Sequence, residues 1–437
     1  TGVLMNRFIY TNLLRFASPI IFKLLERKAK RAGGVWEIQS PERFGNYPAR
    51  SLAEDSVSFE RPVWVHAVSL GETRAAQPLV QALLEQNLPV LLTHMTATGR
   101  EMGATFFEQY IASGQLRQAW MPYDLPAAVA GFFNYWQPRC GILIEREIWP
   151  NLLAEAETKA IPMVVVSARF SESALKQSRW RGRVLKQAFT SLRLVLAQTS
   201  EDAARLRDYG LKQVELAGNI KFDVAVSEPL VGKAHALKEQ LQRPIVVIAS
   251  TRDGEEAMFL EAIMQGRTSA SIDKQALYIL VPRHPQRFEE VSALLEKSAL
   301  SYVARSQQPS VEALKSCQVL LGDSVGEMFF YYGLADVAII GGSFADFGGQ
   351  NNIEASVLGV PVIVGQHTTN FKQAVEDAIT AGATRRVANA AEAIEQAVHL
   401  LDNSQAREAM SQAAQQWMAQ HRGATERTMR YLQPFLK

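Results

Sequence analysis

The sequence predicts an α/β protein with two doubly wound, Rossmann-like domains. Two series of short, β-branched apolar segments alternate with helix-length segments along the chain. Such alternation is typical of parallel βαβ units, because parallel strands must be joined by a crossover of a dozen or more residues. A length of 437 residues also exceeds that of one ordinary hydrophobic core, which favours two domains.

The first series of strands falls in a predicted domain over residues 45–222. Its strands are predicted at 63–69, 90–94, 118–123, 140–144, 162–168, 194–198 and 214–217. Helices are predicted between them, among others at 72–86, 99–113 and 200–210. Residues 223–243 interrupt this alternation and are predicted to link the two domains.

The second series falls in a predicted domain over residues 244–437. Its strands are predicted at 245–250, 277–281, 301–304, 319–321, 337–340, 361–364 and 384–387. A long helical tail follows from about Ala406, and we expect its last helix to pack back on the first domain. Two domains of this kind are expected to face each other across a cleft at the carboxyl ends of their strands.

Composition and charge exclude several classes of protein. The two cysteines, Cys140 and Cys317, lie far apart in apolar segments, so neither a disulfide framework nor a cysteine-based metal site is predicted. The seven histidines have no ligand spacing, and the sequence contains no P-loop or D-x-D triplet. The basic character is local: residues 1–31 carry a net charge of +6, against +2 for the whole chain. We therefore predict no bound metal and no nucleic-acid binding.

Residues 1–31 combine an apolar helical stripe with a basic cluster. The stripe recurs at three- and four-residue steps and consists of Met5, Phe8, Ile9, Leu13, Phe16, Ile20 and Leu24. Arg7, Arg15 and Lys23 interrupt the apolar run that a spanning helix needs. The pattern favours a helix at a membrane interface, followed by cations that face anionic lipid. The alternative is an amphipathic helix packed on its own domain.

A carboxylate follows the first predicted strand, in the sequence V-W-V-H-A-V-S-L-G-E-T-R-A-A (63–76). Glu72 falls where this strand gives way to a helix, and ligands of open α/β sheets bind at the carboxyl ends of strands. Glu72 is therefore a candidate general base. The alternative is that it only complements the helix start, where acidic residues are common.

Three further charged residues belong to the same predicted domain. Glu145 and Glu147 stand two residues apart at a strand end, so both carboxylates point the same way if the segment is extended. Lys221 comes where the chain leaves the domain. Solvated acids at a strand terminus and a solvent-facing lysine are the alternatives.

The second domain carries the signs of an anion site. A glycine-rich loop, G-G-S-F-A-D-F-G-G (341–349), follows a buried strand and precedes a helix predicted near Asn351. Glycines let backbone N–H groups approach a phosphate, and Glu354 is placed to accept hydrogen bonds from ribose hydroxyls. Pro282-Arg283-His284-Pro285 and Gly326-Glu327 also follow strands, and Arg283 suits a phosphate or a base edge. The alternatives are a structural glycine turn, a rigid proline turn and helix capping.

Taken together, these motifs resemble the family of Kdo transferases, which transfer 3-deoxy-D-manno-octulosonic acid (Kdo) to the lipid A precursor. The matching blocks run in order through both domains and cover nearly the whole chain. They are H-A-V-S-L-G-E (66–72), T-H-M-T-A-T-G (93–99), M-P-Y-D-L-P (121–126), E-R-E-I-W-P-N-L (145–152), S-A-R-F-S (167–171), G-N-I-K-F-D (218–223), L-V-P-R-H-P-Q-R-F (280–288), L-G-D-S-V-G-E (321–327) and G-G-Q-N-N-I-E-A (348–355). Relatives commonly have His at the place of Gln350, Pro at that of Asn352 and Met at that of Val325.

The resemblance implies an inverting GT-B glycosyltransferase that needs neither a metal nor a cofactor. It implies CMP-Kdo as donor, the phosphorylated glucosamine disaccharide of the lipid A precursor as acceptor, and a place on the cytoplasmic side of the inner membrane. By the family's motifs, Glu72 is the general base, and Glu145 and Lys221 assist the transition state. The implied CMP contacts are Pro282, Arg283, Val325, Gly326, Glu327, Asn351, Asn352, Ile353 and Glu354.

Two other functions fit parts of the same pattern. A nucleotide-sugar epimerase can share the two-domain architecture, and it has no need of a membrane helix. A non-enzymatic scaffold that binds nucleotide and membrane is the second alternative. The placement of Glu72 and Glu145 argues against a scaffold.

Overall fold

A computed structural model describes residues 6–32, 35–48, 59–170, 182–266 and 276–437. The chain divides into two compact units. The first comprises Thr1–Asp223 together with His421–Lys437, and the second comprises Val224–Gln420. Met5 of the apolar stripe and Ser171 of the S-A-R-F-S block lie outside the described residues.

The first unit is built on a seven-stranded parallel sheet with the order β3-β2-β1-β4-β5-β6-β7. The strands are β1 (Val63–His66), β2 (Val90–His94), β3 (Leu116–Trp120), β4 (Cys140–Ile144), β5 (Met163–Ala168), β6 (Leu194–Ala197) and β7 (Val214–Leu216). The helices before and between them are α1 (Arg7–Ala32), α2 (Leu70–Glu85), α3 (Ala97–Phe106), α4 (Glu108–Ala112), α5 (Pro126–Trp136), α6 (Pro150–Thr158), α7 (Arg183–Thr190) and α8 (Ser200–Tyr209). Short 3-10 helices cover Pro41–Phe44 and Ile220–Phe222.

The central strands of this sheet are buried on both faces. In β1, Val63 and Val65 join the cluster that packs on α2, whereas Trp64 faces the opposite cluster with Phe132. Side chains alternate between the faces of a strand, so a run of buried residues predicts a sheet covered on both sides. Strand β1 lies between β2 and β4. The strand order therefore reverses between β1 and β4, and this switch point is where open α/β sheets form a crevice.

The end of the chain belongs to the first unit. Helix α18 (Ala424–Leu432) and the 3-10 helix Gln433–Phe435 follow Gly423, whose φ of +82° ends the preceding helix. The Asp223 carboxylate accepts hydrogen bonds from the N–H groups of Gly423 and Thr425. Phe222 stacks on His421 with ring centroids 4.4 Å apart. The C-terminal segment is therefore fixed by residues that directly follow Lys221.

Helix α1 leaves its apolar stripe exposed in this unit. Phe8 is 77% exposed and Phe16 83%, whereas Thr11 is buried. The Tyr10 hydroxyl donates to Asp124 (2.9 Å) and the Thr11 hydroxyl to Asn151 (2.9 Å). The helix packs on its unit through these polar contacts and through Phe22, whose ring lies 4.5 Å from that of Tyr123 and 5.6 Å from that of Phe44. The alternative in which the stripe itself packs on its own domain is wrong for the described stripe residues, which are exposed. Among the described residues, the helical segment Arg7–Arg27 has the length and the apolar composition needed to cross a membrane.

The second unit contains another seven-stranded parallel sheet, with the order β10-β11-β9-β8-β12-β13-β14. Its strands are β8 (Ile245–Thr251), β9 (Leu277–Pro282), β10 (Tyr302–Ala304), β11 (Val319–Leu321), β12 (Val337–Ile340), β13 (Val362–Val364) and β14 (Thr384–Arg386). Its helices are α9 (Glu228–Leu241), α10 (Glu255–Gly266), α11 (Phe288–Lys297), α12 (Val311–Ser316), α13 (Met328–Leu334), α14 (Ile353–Val357), α15 (Lys372–Thr380), α16 (Ala390–Asp402) and α17 (Ser404–His421). Short 3-10 helices cover Pro285–Arg287, Arg305–Gln307 and Thr369–Phe371.

The two parallel sheets confirm the predicted fold class, and each predicted strand corresponds to a strand of the structure. The helices differ more. The helix predicted at 99–113 is two helices, α3 and α4, because the buried Phe107 leaves the helical conformation (φ −119°). The segment predicted as a linker, 223–243, contains α9, which belongs to the second unit and buries Val231, Ala234 and Leu241.

Candidate active site

Glu72 lies in the first turn of α2, directly beyond the carboxyl end of β1. Its carboxylate turns back and accepts a hydrogen bond of 2.6 Å from the N–H of Val68. The contact with the turn before the helix is the one that the helix-start alternative predicts. It also fixes the carboxylate at the β1–β4 switch point, so the structural contact and a role as a base are compatible.

The surroundings of Glu72 favour its protonated form. Burial raises the pKa of the Glu72 carboxyl to about 7, and the negative charges of Glu145 and Glu147 act in the same direction. The hydrogen bond from Val68 and the positive charge of Lys221 oppose this shift. A pKa near neutrality is matched to a general base, because the ionised form is populated and still binds a proton strongly.

Glu145 directly follows β4 and adopts a left-handed backbone conformation, with φ of +65°. This conformation is uncommon for residues other than glycine, and it is frequent at functional sites. The carboxylate of Glu145 forms an ion pair with the ammonium of Lys221. The structure therefore brings together two of the three predicted catalytic residues, and both act electrostatically on the third, Glu72.

The backbone around Lys221 is fixed by a residue that the sequence reasoning missed. The Asn219 side-chain oxygen accepts hydrogen bonds from the Lys221 N–H (3.0 Å) and from the Ser167 hydroxyl (3.2 Å). Asn219 thereby caps the 3-10 helix that carries Lys221. Its position two residues before the lysine, within G-N-I-K-F-D, was the available signal.

Glu147 lies near Glu72, but not for the reason that the sequence suggested. We expected an extended segment in which side chains two apart point the same way. That expectation is wrong, because β4 ends at Ile144 and Glu145 is left-handed. Burial raises the pKa of Glu147, although the Trp149 indole N–H donates to its carboxylate at 3.0 Å.

In the second unit, three predicted segments come to one edge of the sheet. Pro282 ends β9, the segment with Val325–Glu327 follows β11, and the glycine-rich loop follows β12. Strands β11, β9, β8 and β12 are neighbours in this order. The predicted CMP contacts therefore gather at the carboxyl ends of adjacent parallel strands, where nucleotides bind to open α/β sheets.

The glycine-rich loop already holds an anion of the protein itself. The buried carboxylate of Glu255 accepts hydrogen bonds from the N–H groups of Gly342 (2.6 Å), Phe344 (2.9 Å) and Ala345 (3.2 Å). It also accepts one from the Arg252 N–H at 2.9 Å. The expectation that these loop N–H groups receive a phosphate is therefore wrong, and the nest formed by the loop serves to fix its shape.

Gly326 and its neighbours leave room for a ligand. Gly326 has φ of +81° and open space where a Cβ would stand, and Val325 is 75% exposed. Arg305 donates two hydrogen bonds to the Glu327 carboxylate, at 2.9 and 3.1 Å. Partial burial raises the pKa of Glu327, but the hydrogen bonds from Arg305 and Ser324 outweigh it and leave the pKa lowered. Arg305, which the sequence reasoning missed, therefore keeps Glu327 ionised and oriented.

The segment Asn351–Glu354 contains one side chain that bonds to the segment's own backbone and one buried side chain without a partner among the described residues. The Asn351 side chain accepts from the Ile353 N–H (3.0 Å), and the side chain of Ile353 is buried. Asn352 is fully buried, and within the described chain its side-chain amide has no hydrogen-bond partner. An unpaired buried amide is costly and needs an explanation, such as a ligand. Glu354 lies in the first turn of α14.

Positive charge collects after β8 and β9. Burial lowers the pKa of His284, and so do the charges of Arg252, Arg283 and Arg287. The Arg252 guanidinium lies 4.5 Å from the centre of the Phe347 ring, over the glycine-rich loop. Arg283 is half-buried, and its N–H donates to the Thr251 carbonyl. Arg287 forms ion pairs with Asp253, Glu256 and Glu290, so it is Arg252 and Arg283 at this edge that favour a phosphorylated ligand.

Metal-ligating side chains do not cluster in the described part of the chain. No group of three or more His, Cys, Asp or Glu side chains there could hold a metal ion. Both cysteines are buried free thiols.

Comparison with known proteins identifies close relatives. A family model described as 3-deoxy-D-manno-octulosonic-acid transferase (kdotransferase) matches residues 39–224. A 3-deoxy-D-manno-octulosonic acid transferase from Bordetella pertussis is 52% identical over 432 residues, which cover 99% of this chain and 100% of the relative. The transferase from Haemophilus influenzae is 32% identical over 449 residues, which cover 99% of this chain and 99% of the relative. A structure of UDP-GlcNAc 2-epimerase from Neisseria meningitidis bound to UDP-GlcNAc is 15% identical, with a TM-score of 0.53 over 85% of this chain and 100% of that one. This last likeness shows the fold alone.

The Glu255 carboxylate gives the first prediction. We expect Glu255→Ala to leave three loop N–H groups unpaired, the buried one of Gly342 and the partly buried ones of Phe344 and Ala345, at a cost of up to about 1–3 kcal/mol each. The unfolding transition of the second unit should fall by about 5 °C or more, at roughly 2–4 °C per kcal/mol. Differential scanning calorimetry measures this shift. Glu261→Ala, at an exposed position on the same helix, is the control and should move the transition by less than about 1 °C. Equal transitions for the two variants would contradict the anchoring role.

Proposed function

This chain belongs to the family of 3-deoxy-D-manno-octulosonic acid transferases, and we propose that it moves Kdo from CMP-Kdo to the lipid A precursor with inversion at the anomeric carbon. Its fold is the GT-B-like arrangement of two parallel Rossmann-like sheets. The observation that carries the proposed mechanism is the carboxylate of Glu72, with its pKa of about 7, beyond the end of β1.

In the proposed reaction, Glu72 accepts the proton of the acceptor hydroxyl. The hydroxyl oxygen forms a bond to the anomeric carbon of Kdo while the bond from this carbon to the phosphate oxygen breaks. CMP leaves with the electron pair of that bond, and Glu72 ends protonated. General-base assistance of this type contributes about 10²–10⁴-fold to a rate. The raised pKa supports this role, because the carboxylate binds the proton firmly once the acceptor attacks.

Glu145 and Lys221 assist the same step. Glycosyl transfer passes through a transition state with oxocarbenium character at the sugar and developing negative charge at the departing phosphate. The ion pair provides one charge of each sign near Glu72. We assign the carboxylate to the sugar and the ammonium to the phosphate, which is electrostatic stabilisation by preorganised groups.

The second unit holds the CMP moiety. We assign contacts with the nucleotide to the residues that the family's motifs indicate: Pro282, Arg283, Val325, Gly326, Glu327, Asn351, Asn352, Ile353 and Glu354. The unpaired amide of Asn352 and the open space at Gly326 support this assignment. The loop N–H groups of Gly342, Phe344 and Ala345 already donate to Glu255. We therefore assign binding of the phosphate to side chains such as Arg283 rather than to the loop backbone.

The N-terminal helix attaches the enzyme to the inner membrane on its cytoplasmic side. Its exposed apolar residues suit contact with lipid, and the basic residues at its end suit anionic headgroups. The acceptor of the proposed reaction is itself an acylated lipid. Attachment would therefore hold the enzyme at the surface where its acceptor is found.

The first prediction of this function concerns Glu72. We expect Glu72→Gln to reduce transfer at least 100-fold, because an amide cannot accept the proton. The affinity for CMP should stay within about twofold of the wild type. Transfer is followed by mass spectrometry of the lipid product from CMP-Kdo and the tetraacylated precursor, and CMP affinity by calorimetry.

Glu85→Gln is the matched control for this experiment. Glu85 is the last residue of the same helix and is exposed. Its substitution should leave the rate within about twofold of the wild type. Transfer by the Glu72→Gln variant at a tenth of the wild-type rate or more would overturn the base assignment.

The second prediction concerns membrane attachment. We expect Phe8→Glu combined with Phe16→Glu to weaken binding to vesicles of phosphatidylethanolamine and phosphatidylglycerol at least tenfold. Each buried phenylalanine contributes roughly 1.5–3 kcal/mol to such binding. Co-sedimentation measures it. Leu216→Glu, at another exposed apolar position of the first unit, is the control and should bind like the wild type. Unchanged binding of the double variant would contradict attachment through this face.

A further inference from the structure

A chain of hydrogen bonds leads through the buried imidazole of His94 to the carboxylate of Glu72. It begins at the side-chain amide of Gln118 on β3, which lies 3.0 Å from Nε2 of His94 at the end of β2. Nδ1 of His94 lies 3.0 Å from the carbonyl oxygen of Ala67. The N–H of Val68 then donates to Glu72 at 2.6 Å. The sequence placed His94 only within a strand and a motif block.

The partners of His94 define its tautomer. A carbonyl oxygen only accepts hydrogen bonds, so Nδ1 must carry a proton to bond with Ala67. The Gln118 amide has two hydrogens. One donates to the Arg100 carbonyl at 2.9 Å, and the other donates to Nε2 of His94, which is therefore the acceptor. The Thr73 hydroxyl uses its hydrogen to donate to the Ser69 carbonyl at 3.0 Å. Its oxygen can therefore only accept from Nδ1, which again requires the proton on Nδ1.

His94 stays neutral at physiological pH. Its imidazole is fully buried between the strands and α3. Burial lowers the pKa of His94 to about 4, and the charge of Arg100 acts in the same direction. The hydrogen bond with Ala67 opposes this shift. The neighbouring His66 is also buried, and burial, together with the charge of His94, lowers the pKa of His66 to about 3. The imidazole is therefore a fixed neutral donor over the range in which Glu72 titrates.

The two hydrogen bonds on either side of the Ala67–Val68 peptide group are linked through that group. The peptide unit is planar, so fixing the direction of the Ala67 carbonyl also fixes the direction of the Val68 N–H. Donation to the carbonyl also polarises the amide and strengthens its N–H as a donor. His94 therefore acts on the atom that holds Glu72, although it does not touch Glu72.

Helix α3 leaves space for this arrangement. A Cβ at Gly103 would lie 2.5 Å from the Gln118 amide nitrogen and 3.1 Å from Nε2 of His94. A Cβ at Gly99 would lie 3.4 Å from Nδ1 of His94 and 3.1 Å from the carbonyl carbon of Ser69. The two glycines are four residues apart and share one helix face. The close packing explains glycine at both positions of the helix.

We propose that His94 is a positioning residue for the reaction: through the Ala67–Val68 peptide group it sets the orientation and proton affinity of the Glu72 carboxylate. This inference rests on the proposed function of Glu72 as the general base. It assigns no contact with substrate to His94. The function of Gln118 in this chain is to hold the imidazole in the tautomer that donates to Ala67.

Two substitutions separate positioning from packing. His94→Asn keeps an amide N–H near the position of Nδ1, so the contact with Ala67 can persist, whereas the contact with Gln118 is lost. His94→Gln places its amide near the position of Nε2, so the contact with Gln118 can persist, whereas the donor to Ala67 is lost. Both remove part of a buried ring, so we expect both to lower the thermal midpoint by similar amounts.

The expected kinetic results differ between the two. His94→Asn should retain kcat to within about threefold of the wild type. His94→Gln should lower kcat at least tenfold with KM for CMP-Kdo within about twofold. Its acid-side limb in the pH profile should move to higher pH, because a Val68 N–H that is less polarised and less fixed in direction stabilises the ionised form of Glu72 less and so raises its pKa. The groups that set this pKa otherwise, Glu145, Glu147 and Lys221, are unchanged.

Three outcomes would overturn the inference. Equal kcat for the two variants would reduce His94 to a packing residue, and so would an acid limb that stays in place. If either variant fails to fold, ¹⁵N NMR of the wild-type protein still tests the inference. It should show a neutral His94 with the proton on Nδ1 from pH 5.5 to 8, and a proton on Nε2 would refute it. Retention of transfer by Glu72→Gln is a separate result and would remove the general base itself.

Discussion

One half-buried carboxylate beyond the end of β1 determines the chemistry proposed for this enzyme. Water would hold the pKa of such a group near 4.5, whereas the surroundings of Glu72 raise it to about 7. Burial does most of this, and two neighbouring carboxylates add to it. A single backbone N–H and the ammonium of Lys221 keep the ionised form accessible. The strand order reverses beside this residue, so the fold places the proposed base where open α/β sheets form a crevice.

In the second unit, which has the same kind of sheet, a carboxylate stabilises a loop. Its glycine-rich loop forms a nest of N–H groups, but the Glu255 carboxylate of the chain fills that nest. A loop held in this way keeps its shape whether or not a nucleotide is bound, so less ordering free energy is lost on binding. In the proposed function, recognition of the phosphate then depends on arginines beside the loop. The carboxylates of the two units therefore differ in their roles: Glu72 of the first unit is the proposed base, and Glu255 of the second unit is a structural anion.

The strands could be predicted from the sequence because buried parallel strands consist of short β-branched runs. The place of Glu72 beyond the end of a strand could be predicted because it follows such a run. The residues that support the site could not. The hydrogen bond from Gly342 to Glu255 joins positions 87 residues apart, and nothing in either segment indicates the other. The prediction for Glu145 and Glu147 failed because strand alternation was applied one residue beyond the strand, where Glu145 turns left-handed. His94 has the burial of an ordinary strand residue, and only its partners reveal its contact with Ala67.

The pH dependence of kcat/KM for the wild-type enzyme tests the central claim most directly. Protonated Glu72 cannot accept the acceptor proton, so the rate should fall as the pH falls through the pKa of this group. With CMP-Kdo and the lipid acceptor between pH 5 and pH 9, the account predicts an acid-side limb with an apparent pKa of about 7. A limb near pH 4.5, the ordinary value for a glutamate, or a rate that is flat across this range would contradict it.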